Sequence, residues 1–473
     1  MEKYAAVDLG AESGRIVVGG VGAIEEVYRF DNQPVRIGNS IYWDVLGIHT
    51  EIKRGLKAAF GRYADQIRSI GLDSWGVDYA LLDRQGDLIG GVYHYRDPRT
   101  DDVPEQVFSH ISKREIYEET GIQYMQINTI HQLYAHGKAK PGLLEQACTL
   151  LTLPNLFHYW LTGQICSEYS HVTTTQLYNP RAKDWSWRII DALGFKREWF
   201  GQIVASGTQL GTLLPHVVEE IGAPPEVMVI ASASHDTAGA VAAIPAPGES
   251  NHAYISSGTW SLLGRESPEP IINEKSYAYN FTNEGSADGG IRFLKNIIGL
   301  WIVQECKRHW DRTDRKYSYG ELTDLAREFG PASFSIDPND PRFLKPGLID
   351  DSMPERIRSF CREHGQRPPE SPAEIVRGVL QSLAELYADS IRELEDVSGL
   401  PIEQLYIIGG GSQNTLLCEL TAQEAGIPVF AGPVEATAIG NILVQAISMG
   451  EIASIEEGRK LIRASYPIEE FTP

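Results

Sequence analysis

The chain begins with an apolar run, Tyr4-Ala-Ala-Val7, then a polar stretch, Asp8-Leu-Gly10-Ala11-Glu12-Ser13-Gly14-Arg15, then a second apolar run, Ile16-Val-Val18. Two short apolar runs around a turn rich in Gly and Ser predict a β-hairpin. The pattern returns at 252–264, where Ala-Tyr-Ile and Leu-Leu flank Ser256-Ser257-Gly258-Thr259. Each hairpin opens roughly half of the chain, which predicts a duplicated architecture. Between them, 67–86 reads as a strand, a Gly turn and a strand. Met228-Val-Ile-Ala231 reads as a short buried strand leading to Ser234-His235-Asp236-Thr237 and a run of small residues at 238–243. Apolar residues recur with a helical period at 296–310 and 375–394, and Leu405-Tyr-Ile-Ile408 followed by Gly409-Gly410-Gly411-Ser412 predicts strand, glycine turn and helix start. These elements predict a mixed α/β chain.

Its 473 residues suggest two or three domains. The best linker candidate is 244–250, with Pro245, Pro247 and Gly248, which divides the chain into 1–246 and 251–473. The proline-rich segment 333–346 is predicted to be a surface loop. No window approaches 18 consecutive apolar residues, and the start lacks the basic stretch and apolar core of a secretory signal. Five cysteines, widely spaced and without a C-x-x-C pair, read as free thiols of a cytoplasmic protein. The 42 basic and 63 acidic residues leave a net charge of −21, which argues against nucleic acid or a membrane as partner. A phosphorylated small molecule remains compatible, provided that local N–H groups, a placed Arg or a metal ion hold it.

Such devices are present. The segment Asp8 to Arg15 offers glycine-flanked N–H groups, the Ser13 hydroxyl and the Arg15 guanidinium for phosphate oxygens, with Asp8 suited to a hydrated Mg²⁺; an ordinary tight hairpin uses the same glycines. Ser257-Gly258-Thr259 repeats the choice between phosphate grip and plain turn. The triple glycine at 409–411 admits close approach of a flat adenosine, or close packing of strand on helix. Asp236 sits where a general base for a substrate hydroxyl belongs, and equally where a helix N-cap belongs. Asp73-Ser-Trp75-Gly76, Tyr95-Arg96-Asp97-Pro-Arg99, Asn296 and Gln304 supply groups suited to a polyol. On a helix, Asn296, Leu300 and Gln304 would share one ridge.

In order and spacing these motifs resemble the FGGY family of carbohydrate kinases almost from end to end: Val7-Asp-Leu-Gly-Ala11, Asp73-Ser-Trp-Gly-Val-Asp78, 95–100, Ser234-His-Asp-Thr-Ala-Gly239, Ser257-Gly-Thr-Trp-Ser261, 292–301, 409–417 and 432–436. The resemblance implies two actin-like ATPase (ribonuclease-H-like) domains around a central cleft, the first mainly for sugar and the second mainly for ATP. By motif, Asp236 would be the catalytic base. Gly76, His235, Asp236, Thr237 and Asn296 would bind the sugar, while Ala11, Glu12, Ser13, Gly14, Arg15, Thr259, Gln304 and Gly410 would bind ATP, with Mg²⁺ as cofactor. Glu12 departs from the small hydroxyl residue usual in the family. The His-Asp-Thr and Phe-Leu-Lys-Asn-Ile-Ile-Gly-Leu-Trp stretches point to the branch that phosphorylates the 1-hydroxyl of L-rhamnulose. Another ketose as acceptor (L-fuculose or D-xylulose), an actin-like ATPase without a sugar, and a non-catalytic sugar sensor are the alternatives.

Overall fold

Strand β1 (Lys3–Leu9) is buried along almost its whole length, as its unbroken apolar run requires of a central strand. The computed structural model describes residues 2–247, 250–313, 315–347 and 351–473. Beyond β1 the chain turns into β2 (Ser13–Gly20), antiparallel to it, with Asp8 opposite Arg15 and Leu9 opposite Gly14. Strands β3 (Ala23–Asp31), β4 (Ile67–Ser74), β5 (Thr208–Thr212) and β6 (Met228–Ala231) complete a six-stranded sheet in the order β5-β6-β4-β1-β2-β3. Strands β1, β4 and β6 run parallel, and β5 is an antiparallel edge. Helix α1 (Val45–Tyr63) starts at Asp44, whose carboxylate accepts from the Gly47 N–H at 2.9 Å. It buries Val45, Ile48, Ile52, Leu56 and Phe60, the stripe that a 3.6-residue period demands. After β6 comes the short helix α2 (Asp236–Ala242).

A second sheet repeats this plan. Strands β7 (His252–Ser257) and β8 (Trp260–Ser267) form the second hairpin; β9 (Ile291–Ile298) lies beside β8, and β10 (Gln404–Ile408), β11 (Val429–Ala431) and β12 (Glu469–Phe471) extend the other side. As in the first sheet, an antiparallel hairpin is followed by parallel neighbours, β7 to β10 to β11, and by an antiparallel edge. The expected duplication is thus present as matching strand order and sense. Helix α3 (Trp301–Thr313) follows β9. Helix α4 (Pro372–Ser398), capped by Ser371 and ended by Gly399, buries a long stripe from Ile375 to Leu394. Helix α5 (Thr415–Ala425) follows the triple glycine, and α6 (Ala436–Ser448) lies beyond β11.

Two compact units result: Met1–Pro245 with Glu266–Phe293 and Ala436–Ser465, and Ala246–Arg265 with Leu294–Glu435 and Tyr466–Pro473. Gly248 and Glu249 of the expected linker lie outside the described residues. Helix α6 therefore packs in the first unit, on α2. There a Cβ on Gly440 would stand 1.8 Å from the Gly239 carbonyl oxygen, so the two helices meet backbone to backbone. No described helix is long and apolar enough to cross a membrane.

Two expectations are corrected. Asn296 and Leu300 do not share a helical ridge with Gln304: Asn296 lies in β9, and α3 begins only at Trp301. The spacing of Ile297, Ile298, Leu300 and Trp301 mimics a helix, but Gly299 separates a sheet strand from the helix start. Segment 333–346 holds no strand or α-helix, only a 3₁₀ turn at Pro341–Phe343, yet it is not merely surface. It buries Phe334, Ile336 and Phe343.

Candidate active site

In the first unit the tip of the first hairpin is fixed by its own backbone. The Gly10 N–H donates to the Ser13 carbonyl at 2.9 Å, the Asn32 N–H donates to the Glu12 carbonyl at 2.9 Å, and the Asn32 amide donates to the Gly10 carbonyl at 3.0 Å. Residues Ala11 to Gly14 form that held turn. At its base Arg15 donates from Nε and Nη2 to Asp8 Oδ2 at 2.8 and 2.6 Å. The parallel register of β1 and β4 sets Asp73 beside Asp8. Asp73 is fully buried; Asn441 of α6 donates to its Oδ2 at 2.5 Å, while Oδ1 has no hydrogen-bond partner. Burial, then the charge of Asp8, pushes the Asp73 carboxyl well above its usual range, against the Asn441 hydrogen bond.

Asp236 completes this acidic group. It is the first residue of α2, not its N-cap, a position held by His235 without a side-chain cap. Its Oδ1 accepts from the Thr237 N–H at 2.5 Å and from the Thr237 hydroxyl at 3.1 Å. Desolvation, then Asp8, raises its pKa from 3.8 to about 7, with the Thr237 hydrogen bonds and Arg292 opposing. The side chain nevertheless keeps 31% of its surface exposed, so the carboxylate is poised for proton transfer yet accessible.

The end of β4 lies against the start of α2, with the Ser74 N–H donating to the Ser234 carbonyl at 2.9 Å. This brings Gly76 to His235: a Cβ on Gly76 would stand 3.3 Å from His235 Nε2 and 3.2 Å from Thr174 Oγ1. Asp8, Ala11 to Arg15, Gly76, His235, Asp236 and Thr237 therefore all lie in one unit, the last three on consecutive positions. Of the other polyol candidates, Trp75 and Arg99 are engaged in the interior. The Trp43 and Trp75 indoles both donate to Asp78 Oδ2, at 2.6 and 2.8 Å, with rings 4.2 Å apart. Arg99 donates to Gln132 Oε1 at 2.7 Å and lies over Tyr93.

In the second unit the tip of the second hairpin caps α3. The N–H groups of Gly299 and Trp301 donate to the Thr259 carbonyl, and that of Leu300 to the Gly258 carbonyl, at 3.1 to 3.2 Å. The Thr259 hydroxyl donates to Gln304 Oε1 at 3.2 Å, so these two predicted ATP ligands are neighbours. The glycines divide by role. Gly409 has φ 81°, and its Cβ would stand 3.1 Å from the Ser257 carbonyl oxygen; a Cβ on Gly411 would stand 2.0 Å from Ser257 Oγ; Gly410 faces nothing within 4 Å. Packing accounts for Gly409 and Gly411, whereas Gly410 is the position left open.

Asp8, Asp73 and Asp236 interact through their charges and offer hard oxygen donors, one of them, Asp73 Oδ1, buried without a partner, which suits a cation that keeps its own water shell. Among the described residues no three His, Cys, Asp or Glu side chains are arranged to hold a metal by themselves. Sequence reasoning missed Thr174, Glu284 and the contact of Arg292 with His235, whose Nδ1 lies 2.9 Å from Arg292 Nη2. They reach the His235 region through tertiary packing, and even the 292–301 motif, which contains Arg292, gives no sign of that contact.

Residues 4–242 match the N-terminal domain of the FGGY family of carbohydrate kinases, and residues 253–449 match its C-terminal domain. Rhamnulokinase of Halalkalibacterium halodurans is 43% identical over 469 residues, covering 98% of both chains. Rhamnulokinase of Bacteroides thetaiotaomicron is 42% identical over 478 residues, covering 100% of this chain and 96% of the relative. Among solved structures, gluconate kinase and ligand-bound xylulose kinase of Lactobacillus acidophilus superpose with TM-scores of 0.81 and 0.80 at 14% identity, each covering 100% of this chain and 94% of the other. Those two similarities are of fold: an α/β chain with two actin-like ATPase domains.

Proposed function

The chain belongs to the FGGY family of carbohydrate kinases, and from that premise we propose that it transfers the γ-phosphoryl group of ATP to the 1-hydroxyl of L-rhamnulose, giving L-rhamnulose 1-phosphate and ADP in the cytoplasm. The full-length similarity to rhamnulokinases carries the choice of acceptor over L-fuculose or D-xylulose. The first domain, 1–246 together with the segments 266–293 and 436–465 that pack in its unit, takes mainly the sugar, and the remainder of 251–473 mainly ATP.

Phosphoryl transfer has a loose transition state, so the protein chiefly positions the reactants and balances charge. Asp236 accepts the proton of the 1-hydroxyl as its oxygen bonds to phosphorus. A carboxyl with a pKa of about 7 is both sufficiently basic and sufficiently ionised at neutral pH to do so. Gly76, His235, Thr237 and Asn296 hold the sugar. The backbone of Ala11 to Gly14, the Ser13 hydroxyl and Arg15 receive the terminal phosphate, Thr259 and Gln304 further nucleotide groups, and Gly410 the adenosine. Glu12 turns its charge away from the γ-phosphate or shares the cation. Mg²⁺ bound with ATP supplies neutralisation of phosphate charge, and Asp8 would hold it through water.

An ADP-release assay over a panel of ketoses tests the proposal. L-rhamnulose is expected to give the highest kcat/KM. Preference for another ketose refutes the acceptor, and ATP turnover indifferent to every sugar refutes the kinase reading in favour of a bare ATPase.

A further inference from the structure

The two ring nitrogens of His235 meet different surroundings. Nδ1 lies 2.9 Å from Arg292 Nη2 and 3.4 Å from Glu284 Oε2. Arg292 Nη2 also donates to Glu284 Oε2 at 3.2 Å, and Arg292 Nε donates to the Gly285 carbonyl at 2.8 Å. Nη2 carries two hydrogens, one for the carboxylate and one for the imidazole. Arg292 is completely buried, and these bonds fix its planar fork. A guanidinium only donates, so Nδ1 must present its lone pair, and in a neutral imidazole the proton then resides on Nε2. The opposite tautomer would set an N–H against an N–H at 2.9 Å and gain only a 3.4 Å approach to a carboxylate already engaged.

Nε2 points to the reaction side. It is 3.4 Å from Asp236 Oδ1 and 3.3 Å from the point that a Cβ on Gly76 would occupy. Gly76 and Thr174 both lie close by, so a side chain at Gly76 would crowd this nitrogen.

We propose that Arg292 is a positioning residue that locks His235 in the Nε2–H tautomer, so that the ring meets the sugar as a neutral donor beside the carboxylate that takes the proton. The donor faces an oxygen lone pair of the ketose next to the reacting hydroxyl; this part rests on the kinase reading above. The lock also leaves Asp236 as the base, because the one imidazole lone pair is engaged by Arg292 and faces away from the substrate. His171, whose ring centre is 6.0 Å away, is fixed separately by donating from Nε2 to the Trp75 carbonyl at 2.8 Å.

The test is the long-range proton–nitrogen NMR spectrum of the whole protein labelled with ¹⁵N in histidine, with the His235 signals identified by their loss in His235→Gln. The wild type is expected to show protonated Nε2 and bare Nδ1. Arg292→Met should populate the other tautomer and raise KM for the ketose about tenfold, the loss of one buried hydrogen bond, while KM for ATP changes less than about twofold. Arg292→Lys keeps a donor and should restore most of the affinity and the spectrum. A wild-type Nδ1–H signal overturns the proposal, as does Arg292→Met with spectrum and ketose KM unchanged. If Arg292→Met does not fold, the wild-type and Arg292→Lys spectra decide. The spectrum needs no sugar, so failure to phosphorylate L-rhamnulose with His235 in the expected tautomer refutes the acceptor assignment alone.

Discussion

Arg15 directs two N–H groups at a single oxygen of Asp8, Oδ2, across the first hairpin, so the charges of guanidinium and carboxylate offset one another before any ligand arrives. Asp8 in turn is the charge that most raises the Asp236 carboxyl after burial. Asp8→Asn keeps the shape and removes that charge. The acid limb of kcat/KM should then move to lower pH than in the wild type, because Asp236 no longer ionises beside a like charge. The Mg²⁺ concentration for half-maximal activity should also rise several-fold. An unmoved acid limb would disprove the electrostatic link, and an unmoved Mg²⁺ dependence would remove Asp8 from the metal.

Asp236 itself makes a paired prediction for activity and stability. As the base it must be ionised, so wild-type kcat/KM should fall as the pH drops through about 7. Asp236→Asn should lower kcat by about 10² or more while ATP affinity stays near wild type. Stability runs in the opposite direction. The folded-state pKa is raised from 3.8 to about 7, so this group's contribution to stability is complete below about 3.8 and is lost as pH climbs through about 7. Asp236→Asn should therefore melt at a higher temperature than the wild type at pH 8, with the difference shrinking towards pH 5. Near-normal turnover, or a lower melting temperature at pH 8, would count against the base assignment.

What the sequence disclosed and what it withheld follow from the range of the interactions. Both hairpins, β4, β6, β10 and the long stripe of α4 are written in local patterns, because apolar alternation, turn glycines and a 3.6-residue period are properties of neighbours along the chain. Asn296 reads as helical because Ile297, Ile298, Leu300 and Trp301 satisfy a helical period, while only pairing in the sheet reveals that Gly299 divides strand from helix. Phe334, Ile336 and Phe343 lie in a stretch whose prolines suggested surface, yet the fold buries them. Arg292 belongs to a recognisable motif but carries no local sign of its task, because His235 and Glu284 become its partners only after β9 is in place. Likewise nothing near Gly440 betrays that it faces Gly239.

The three glycines after β10 should respond unequally to alanine. Gly411→Ala would force a Cβ to within 2.0 Å of Ser257 Oγ, an overpacking that costs about 1–3 kcal/mol and lowers the melting temperature. Gly410→Ala meets nothing within 4 Å, so stability should stay within about 0.5 kcal/mol of wild type. Its effect should instead fall on KM for ATP, with KM for the ketose unchanged. Equal melting temperatures for the two variants would contradict the packing account, and an unchanged KM for ATP in Gly410→Ala would remove that position from the nucleotide.

Gly440→Ala tests whether the helix that carries the base is held from a distant part of the chain. Gly440 is on α6, and its added Cβ would meet the Gly239 carbonyl at 1.8 Å, a backbone atom that no rotamer change can move aside. Helix α2 must shift as a unit, and Asp236 is its first residue. A displacement of the order of 1 Å at a reacting group can cost about 10²-fold in rate. The variant is therefore expected to lose about 1–3 kcal/mol of stability and also to lose kcat measured well below its melting temperature. Gly450→Ala provides a control in the same segment: its φ of 78° makes an alanine strained, but its added Cβ meets nothing within 4 Å and so pushes on no part of α2, and the variant should lower stability while sparing kcat. If Gly440→Ala is destabilised with full kcat, α6 merely supports the fold; if kcat falls in Gly440→Ala and not in Gly450→Ala, contact with α6 sets the position of the base.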